Sequence, residues 1–232
     1  MSDPRRDVLA SNLLMVRDRI AAAAEAAGRQ PADITLIAVT KTRPAGDVAH
    51  LAALGVTDVG ESRDQEAGEK RSSSPDGLRW HMVGRLQSNK ARSVAEWADV
   101  VQSVDRVGLV APLAAGAARA ERRLGVCLQV SLDADPDRGG ALPEELNELA
   151  SAVDDAAELE LLGLMAVAPL DAAPDVAFAR LARIREAFLT HHPAATMLSA
   201  GMSGDLEAAI AAGATHVRIG TALLGDRPPA VR

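Results

Sequence analysis

Lys41 closes a strand-length apolar run, Ile34 to Val39, and an amine at the end of a buried strand has one distinctive use: partly desolvated, it attacks a carbonyl and forms a Schiff base. Its ordinary alternative is a solvated lysine at a strand end. A second set of capable residues lies near the other end of the chain, where Ser199 to Gly204 lead straight into a helix beginning near Asp205. Hydroxyls and backbone N–H groups there converge on a positive helix end, which suits a phosphate. The strand that follows stops at Gly220 and Thr221, whose backbone and hydroxyl can serve the same site. Each turn alone reads equally as a glycine turn with a helix cap; the pair on successive strands points to an anion.

Arg218 sits inside that last apolar strand, where a guanidinium is costly to bury alone. Two readings stand open: it meets a ligand, or it pairs inside the fold with a carboxylate such as Glu61. Trp80 and His81 are adjacent and must point to opposite faces of their strand. His81 is read first as a hydrogen-bonded core histidine and second as a base. The remaining histidines, His50, His191, His192 and His216, are scattered without any metal-binding spacing, so no metal is expected. Cys127, the single cysteine, lies in the apolar run VCLQV and is expected to be a small core residue without a disulfide.

These residues need a scaffold that alternates. The pattern predicts a helix from Pro4 to Gly28 with Leu9, Leu13, Val16 and Ile20 on one stripe. Strands are expected at Ile34 to Val39, at VTDVGES ending near Glu61, at Leu78 to Gly84, Asp99 to Val104, Gly125 to Leu132, Leu159 to Pro169, TMLSAGM and HVRIGTALLG. Helices fall between them: one reaching Gly55 with Pro44 in its first turn, a polar one through Gln65, Glu66 and Lys70, then Gln87 to Ala98, Val107 to Arg123 capped by Asp105, Pro143 to Ala157, Asp175 to His191, and DLEAAIAAG. RSSSPDG and DADPDRGG are loops by composition. Eight strands separated by seven helices predict a closed α/β barrel, (β/α)8, in one domain over residues 1–232, with the first helix covering the seam between strands one and eight. An open doubly wound sheet is the alternative, weakened by the lack of a GxGxxG turn after the first strand and of any Walker A sequence.

Composition narrows the function classes. A net charge of −7, with 48% hydrophobic and 25% charged residues, describes an ordinary globular chain and argues against a general nucleic-acid or anionic-membrane binder. The amino-terminal residues have no apolar signal core and no run is long enough to span a bilayer, so a cytoplasmic location is expected. Tyrosine is absent.

The motifs together resemble the YggS/PROSC family, the pyridoxal phosphate homeostasis proteins. The likeness spans AVTKT around Lys41, GES with Gln65 and Glu66 beyond it, WHMVGRLQSNK from Trp80 to Lys90, GLMAVAP, and GMSGDLEAAIAAGATHVRIGTALLG. It implies a barrel similar to that of alanine racemase, with pyridoxal 5′-phosphate bound as a Schiff base to Lys41. It also implies a phosphate site on Ser203, Gly220, Thr221 and the Gly201–Met202–Ser203–Gly204 turn, and Arg218 beside the pyridine nitrogen, helping to keep it unprotonated. Ser62, His81 and Ser199 complete the expected cofactor-binding set. The family's common GEN reads Gly60, Glu61, Ser62 here; Met82 replaces a common aromatic, and Arg85 follows Gly84. Ser62 matters most, because a hydroxyl cannot make every contact of an amide.

The resemblance implies a cofactor carrier and regulator of amino- and keto-acid balance, with apo-enzymes as possible recipients and no established turnover; a monomer is expected from the missing second domain. A racemase on the same barrel is the alternative. A two-base racemase of the alanine racemase type uses a lysine and a tyrosine on opposite faces of the substrate, the tyrosine from a second domain; this chain has no tyrosine and no length to spare, leaving His81 as the nearest substitute base. A lyase or aldolase using Lys41 directly fits the barrel but not the full motif set.

Overall fold

Short aliphatic runs buried on both faces and amphipathic helices that cover them have a limited set of solutions, and the computed structural model, which describes residues 3–135 and 138–226, adopts the closed one. Strands β1 (Thr35–Val39), β2 (Asp58–Glu61), β3 (Arg79–Met82), β4 (Val100–Val104), β5 (Leu124–Gln129), β6 (Leu159–Met165), β7 (Met197–Ser199) and β8 (His216–Ile219) pair in sequence order. All pairs are parallel, and β8 closes on β1 with Ile37 opposite Arg218. Of the expected loop at residues 133–140, Pro136 and Asp137 lie outside the described residues, as do residues 1, 2 and 227–232.

The helices α1 (Pro4–Ala26), α2 (Ala45–Ala53), α3 (Asp64–Ser73), α4 (Ser88–Trp97), α5 (Val110–Arg119), α6 (Leu146–Asp154), α7 (Pro174–Leu189), α8 (Leu206–Ala211) and α9 (Thr221–Leu224) surround the sheet. Helix α1 starts at Asp3, whose carboxylate accepts the Arg5 amide at 2.9 Å, and buries Leu9, Leu13, Val16 and Ile20. Each such side chain taken out of water contributes roughly 1.5–3 kcal/mol. The helix packs on α2, α8 and α9, which places it over the β1–β8 seam as its stripe requires.

Alternation sorts the side chains of the strands into an outer layer and a barrel interior. Val217 and Ile219 join the large outer core while Arg218 between them points inward. Val100, Cys127, Met165 and Met197 form a small separate apolar cluster inside the barrel. At Gly163, with φ +151, an added Cβ would lie 1.9 Å from the Met197 carbonyl oxygen, so β6 meets β7 there only through glycine. The β5–β6 register slips by one residue at that place, between Val126 and Cys127.

Four element expectations are corrected, the first being the helix from Pro143, which opens as a 3-10 turn, Pro143–Glu145, before α6. Strand eight stops at Ile219, and TALL forms α9 because its residues lie past the barrel rim, where no strand pairs with them and Leu223 and Leu224 bury instead. The helix expected from Val107 is split into a 3-10 turn, Val107–Leu109, and α5; Asp105 does not cap it, its carboxylate being held by Arg106 at 2.5 Å. Pro44 is the residue before α2 and lies outside its first turn.

Candidate functional site

The carboxyl rim of the barrel gathers most of the chemically capable residues. Lys41 lies two residues past the end of β1 and is half-buried. Thr40 before it is fully buried, and its hydroxyl donates to Glu61 Oε1 at 2.7 Å. Thr42 after it has φ +64, a backbone conformation that a β-branched residue rarely takes. Its N–H donates to Glu66 Oε1 at 2.6 Å. Lys70 of α3 donates at 2.7 Å to each of the Thr40 carbonyl, Glu61 Oε1 and Glu66 Oε1. Burial pushes the Glu61 carboxyl above its ordinary range, with Lys70 and Thr40 opposing. Glu66, more exposed, would also be raised by burial, but Lys70 and the Thr42 amide outweigh that and hold it low.

The turns after β7 and β8 meet at the same rim. The Ala222 amide donates to Ser203 Oγ at 3.2 Å, joining the two turns that the sequence assigned to one anion site. Gly201 has φ +91, and a Cβ on it would lie 2.6 Å from that of Ala209, so the β7 turn can run this close to α8 only through glycine. Met202 and Asp205 fasten the turn, the Met202 amide donating to Asp205 Oδ1 at 2.5 Å. From α1, Arg19 donates to the Ser203 carbonyl at 3.1 Å. Room remains in front of the backbone: a Cβ on Gly204 would meet nothing within 4 Å, and one on Gly220 only Val39. Thr221 and Met202 are exposed and Ser203 half-buried, so the turns are open to solvent.

Beneath this rim runs a hydrogen-bonded chain inside the barrel. Arg218, 4% exposed, donates at 2.8 Å to the Ser199 carbonyl, to Ser199 Oγ and to the Ala166 carbonyl. Ser199 Oγ donates to Gln102 Oε1 at 2.7 Å; Gln102 Nε2 lies 3.0 Å from His81 Nδ1, and His81 Nε2 lies 2.9 Å from Asp58 Oδ1. One tautomer satisfies every link, with the His81 proton on Nε2 facing the carboxylate. Burial lowers the His81 pKa against the opposing pull of Asp58. The alternative pairing of Arg218 with Glu61 is ruled out: Glu61 points to the outer layer and is taken by Lys70, while Arg218 makes no ion pair among the described residues. Burial pushes the Arg218 pKa down to about 10, which leaves it charged at neutral pH.

Of the expected site residues, the structure thus brings together Gly201, Met202, Ser203, Gly204, Gly220 and Thr221 at the two turns, above Arg218. Ser199 and His81 are fully buried and their polar atoms have interior partners. Ser62 is half-buried and borders a different space, a groove of about 1090 Å3 over β2 to β5 lined also by Arg85, Gln87, Ser88, Ser131 and Gly140. Neither Lys41 nor the two turns line that groove. Gln102, Asp58 and Lys70 were not singled out from sequence. Gln102 gave a signal, as a polar residue within the apolar run VVQSV, and Lys70 another, four residues after Glu66. Cys127 is fully buried, its thiol pushed up to about 12 by burial, as befits a core residue.

His216, at the opposite end of β8, gives a pH test of the barrel's lower end. Burial, with His81 nearby, pushes its pKa down to about 4 from the ordinary 6.5. Between those values the unfolded chain binds a proton that the folded chain refuses, so stability falls as pH drops through the window. Urea midpoints from pH 7 to 4.5 are expected to decline less steeply for His216→Gln than for the parent. Equal slopes would mean that His216 titrates normally in the fold.

The sequence profile of the alanine racemase N-terminal domain matches residues 12–228. The pyridoxal phosphate homeostasis protein of Mycobacterium tuberculosis is 46% identical over 243 residues, covering 96% of this chain and 94% of the relative. Among solved structures, PipY of Synechococcus elongatus with PLP bound superposes with a TM-score of 0.81 at 34% identity, covering 94% of this chain and 100% of that one. An alanine racemase from Clostridium difficile shares the fold, with a TM-score of 0.73 at 17% identity, over 97% of this chain and 58% of the racemase.

Proposed function

Since this chain belongs to the pyridoxal phosphate homeostasis protein family, we propose that residues 1–232 form one unit that holds pyridoxal 5′-phosphate and releases it to enzymes that need it. The observation that carries this reading is Arg218, a buried cation with no ion pair among the described residues, set below two joined turns that leave room for an anion. Asp205 attracts the Arg218 charge without pairing with it, and a phosphate held by the turns adds to that attraction.

Such a cofactor would supply an aldehyde, and Lys41 is the residue whose amine would hold it covalently. Ser203, Thr221 and the amides of the Gly201–Gly204 turn and Gly220 receive the phosphate, with Met202 flanking them. Arg218 would face the ring nitrogen, where its positive charge would disfavour a proton. Ser199 and His81 act from behind Arg218 by fixing its orientation, while Ser62, which lines the groove over β2 to β5, stands apart from this set. His81 is poorly suited to proton transfer, because both ring nitrogens are engaged and the residue is sealed from solvent.

Holding, rather than turnover, is favoured by two observations. The 232 residues contain no tyrosine to serve as the second base of a racemase of the alanine racemase type. The exposure of Thr221, Met202 and Gly204 suits a group that must leave. Among the described residues no helix is long and apolar enough to cross a membrane. We further propose that the protein acts in the cytoplasm as a monomer, which light scattering on the loaded protein tests. The function itself is tested by mixing loaded protein with an apo-enzyme and following recovered activity, beside a racemase assay over the common amino acids. Recovery without racemisation is expected; racemisation at an ordinary enzymatic rate, about 1 per second or faster, identifies a racemase instead.

A further inference from the structure

Glu61, Lys70 and Glu66 stand on the side of the Lys41 segment away from the two turns of the anion site, and they grip the main chain on both sides of the lysine. The Lys70 ammonium has three N–H donors and three acceptors at 2.7 Å, so its position is fully determined. One of these acceptors is the Thr40 carbonyl, and the Thr40 hydroxyl is tied to Glu61. On the other side, Glu66 accepts from the Thr42 amide at 2.6 Å, where φ is +64. A β-branched residue keeps that conformation only when its surroundings impose it, and the Glu66 carboxylate does so. The pair Glu66 and Lys70, one turn apart on α3, therefore ties the anchor segment to a helix that contributes no residue to the phosphate turns.

We propose that Glu66 and Lys70, with Glu61, are positioning residues for Lys41: they hold the peptide units at Thr40 and Thr42 so that the amine is presented for covalent capture of the cofactor, without themselves binding it. The inference rests on the reading of Lys41 as the anchor. It separates two quantities that an ordinary binding residue would move together. Capture depends on the presentation of Lys41, whereas grip on phosphate and ring depends on the β7 and β8 turns and Arg218.

Glu66 is the residue to vary, because its side chain is 25% exposed and its loss leaves no deeply buried charge alone in a closed cavity. Two ligands are compared by titration: pyridoxal 5′-phosphate, with borohydride fixation and mass measurement, and pyridoxine 5′-phosphate, which carries an alcohol in place of the aldehyde. Glu66→Ala is expected to weaken pyridoxal phosphate binding about tenfold, the loss of one charge-assisted hydrogen bond, and to leave pyridoxine phosphate binding unchanged. Glu66→Gln keeps an acceptor for the Thr42 amide and is expected to recover most of the loss. Unfolding midpoints of both variants confirm that folded protein is compared. Unchanged capture in Glu66→Ala overturns the inference and leaves Lys41 as anchor. Equal weakening of both ligands also overturns it, since the cluster would then shape the whole site. Failure of the parent protein to fix pyridoxal phosphate on Lys41 overturns the anchor reading, and the inference with it.

Discussion

Lys41→Ala is expected to abolish covalent capture of pyridoxal phosphate: the purified variant should lose the yellow colour of the parent, and borohydride should add no cofactor mass to the peptide containing residue 41. The fold should survive. Lys41 lies past the end of β1 and is only half-buried, so its truncation is expected to change stability by no more than about 1 kcal/mol. The phosphate turns and Arg218 remain, and pyridoxine 5′-phosphate should bind the variant as it binds the parent. Retention of fixed cofactor in Lys41→Ala would move the anchor to another lysine and remove the basis for the assigned site.

Arg218→Leu is expected to act in the opposite manner, damaging fold and ligand grip together. The guanidinium satisfies the Ser199 and Ala166 carbonyls and the Ser199 hydroxyl, all deep in the barrel. The Ser199 carbonyl keeps the Ala166 amide and the Ser199 hydroxyl keeps Gln102, so the Ala166 carbonyl is the acceptor left unmatched, and a loss of roughly 1–3 kcal/mol in urea unfolding of the cofactor-free protein is expected. Affinity for both phosphate ligands should fall by at least about tenfold, the effect of losing one buried charge-assisted contact. Arg218→Lys keeps the charge but not the planar fork, and should restore ligand affinity more fully than stability, since one ammonium cannot span the Ser199 and Ala166 carbonyls as the two terminal nitrogens do. A variant Arg218→Leu as stable as the parent would show that the polar chain to Asp58 is slack.

The contrast between these two variants follows from where the chain's local pattern leaves its residues. The eight strands and their covering helices were legible because burial on both faces writes a strand as an aliphatic run and a one-sided helix as a stripe, each a local record of a nearby surface. Lys41 and the glycine turns after β7 and β8 were legible for the same reason, as interruptions in that record at strand ends. The apolar pattern failed at TALL, which reads the same for a strand continuing as for a turn of helix folding back on α1.

Partnerships between distant strands left no such record. Nothing local in the sequence distinguishes Glu61 as the partner of Lys70 from Glu61 as the partner of Arg218, because the choice depends on which face of β2 the carboxylate occupies and on how α3 lies over it. Only barrel closure put Gln102 of β4 between His81 and Ser199, and so joined five polar residues on five strands into one chain from Asp58 to Arg218. The order of elements, the amine past the end of β1 and the anion-suited turns are each set by neighbours within a few residues, so the linear chain records them. The tertiary structure decided which buried charge meets which partner, because that energy depends on distance and desolvation across the barrel, and neither is encoded in spacing along the chain.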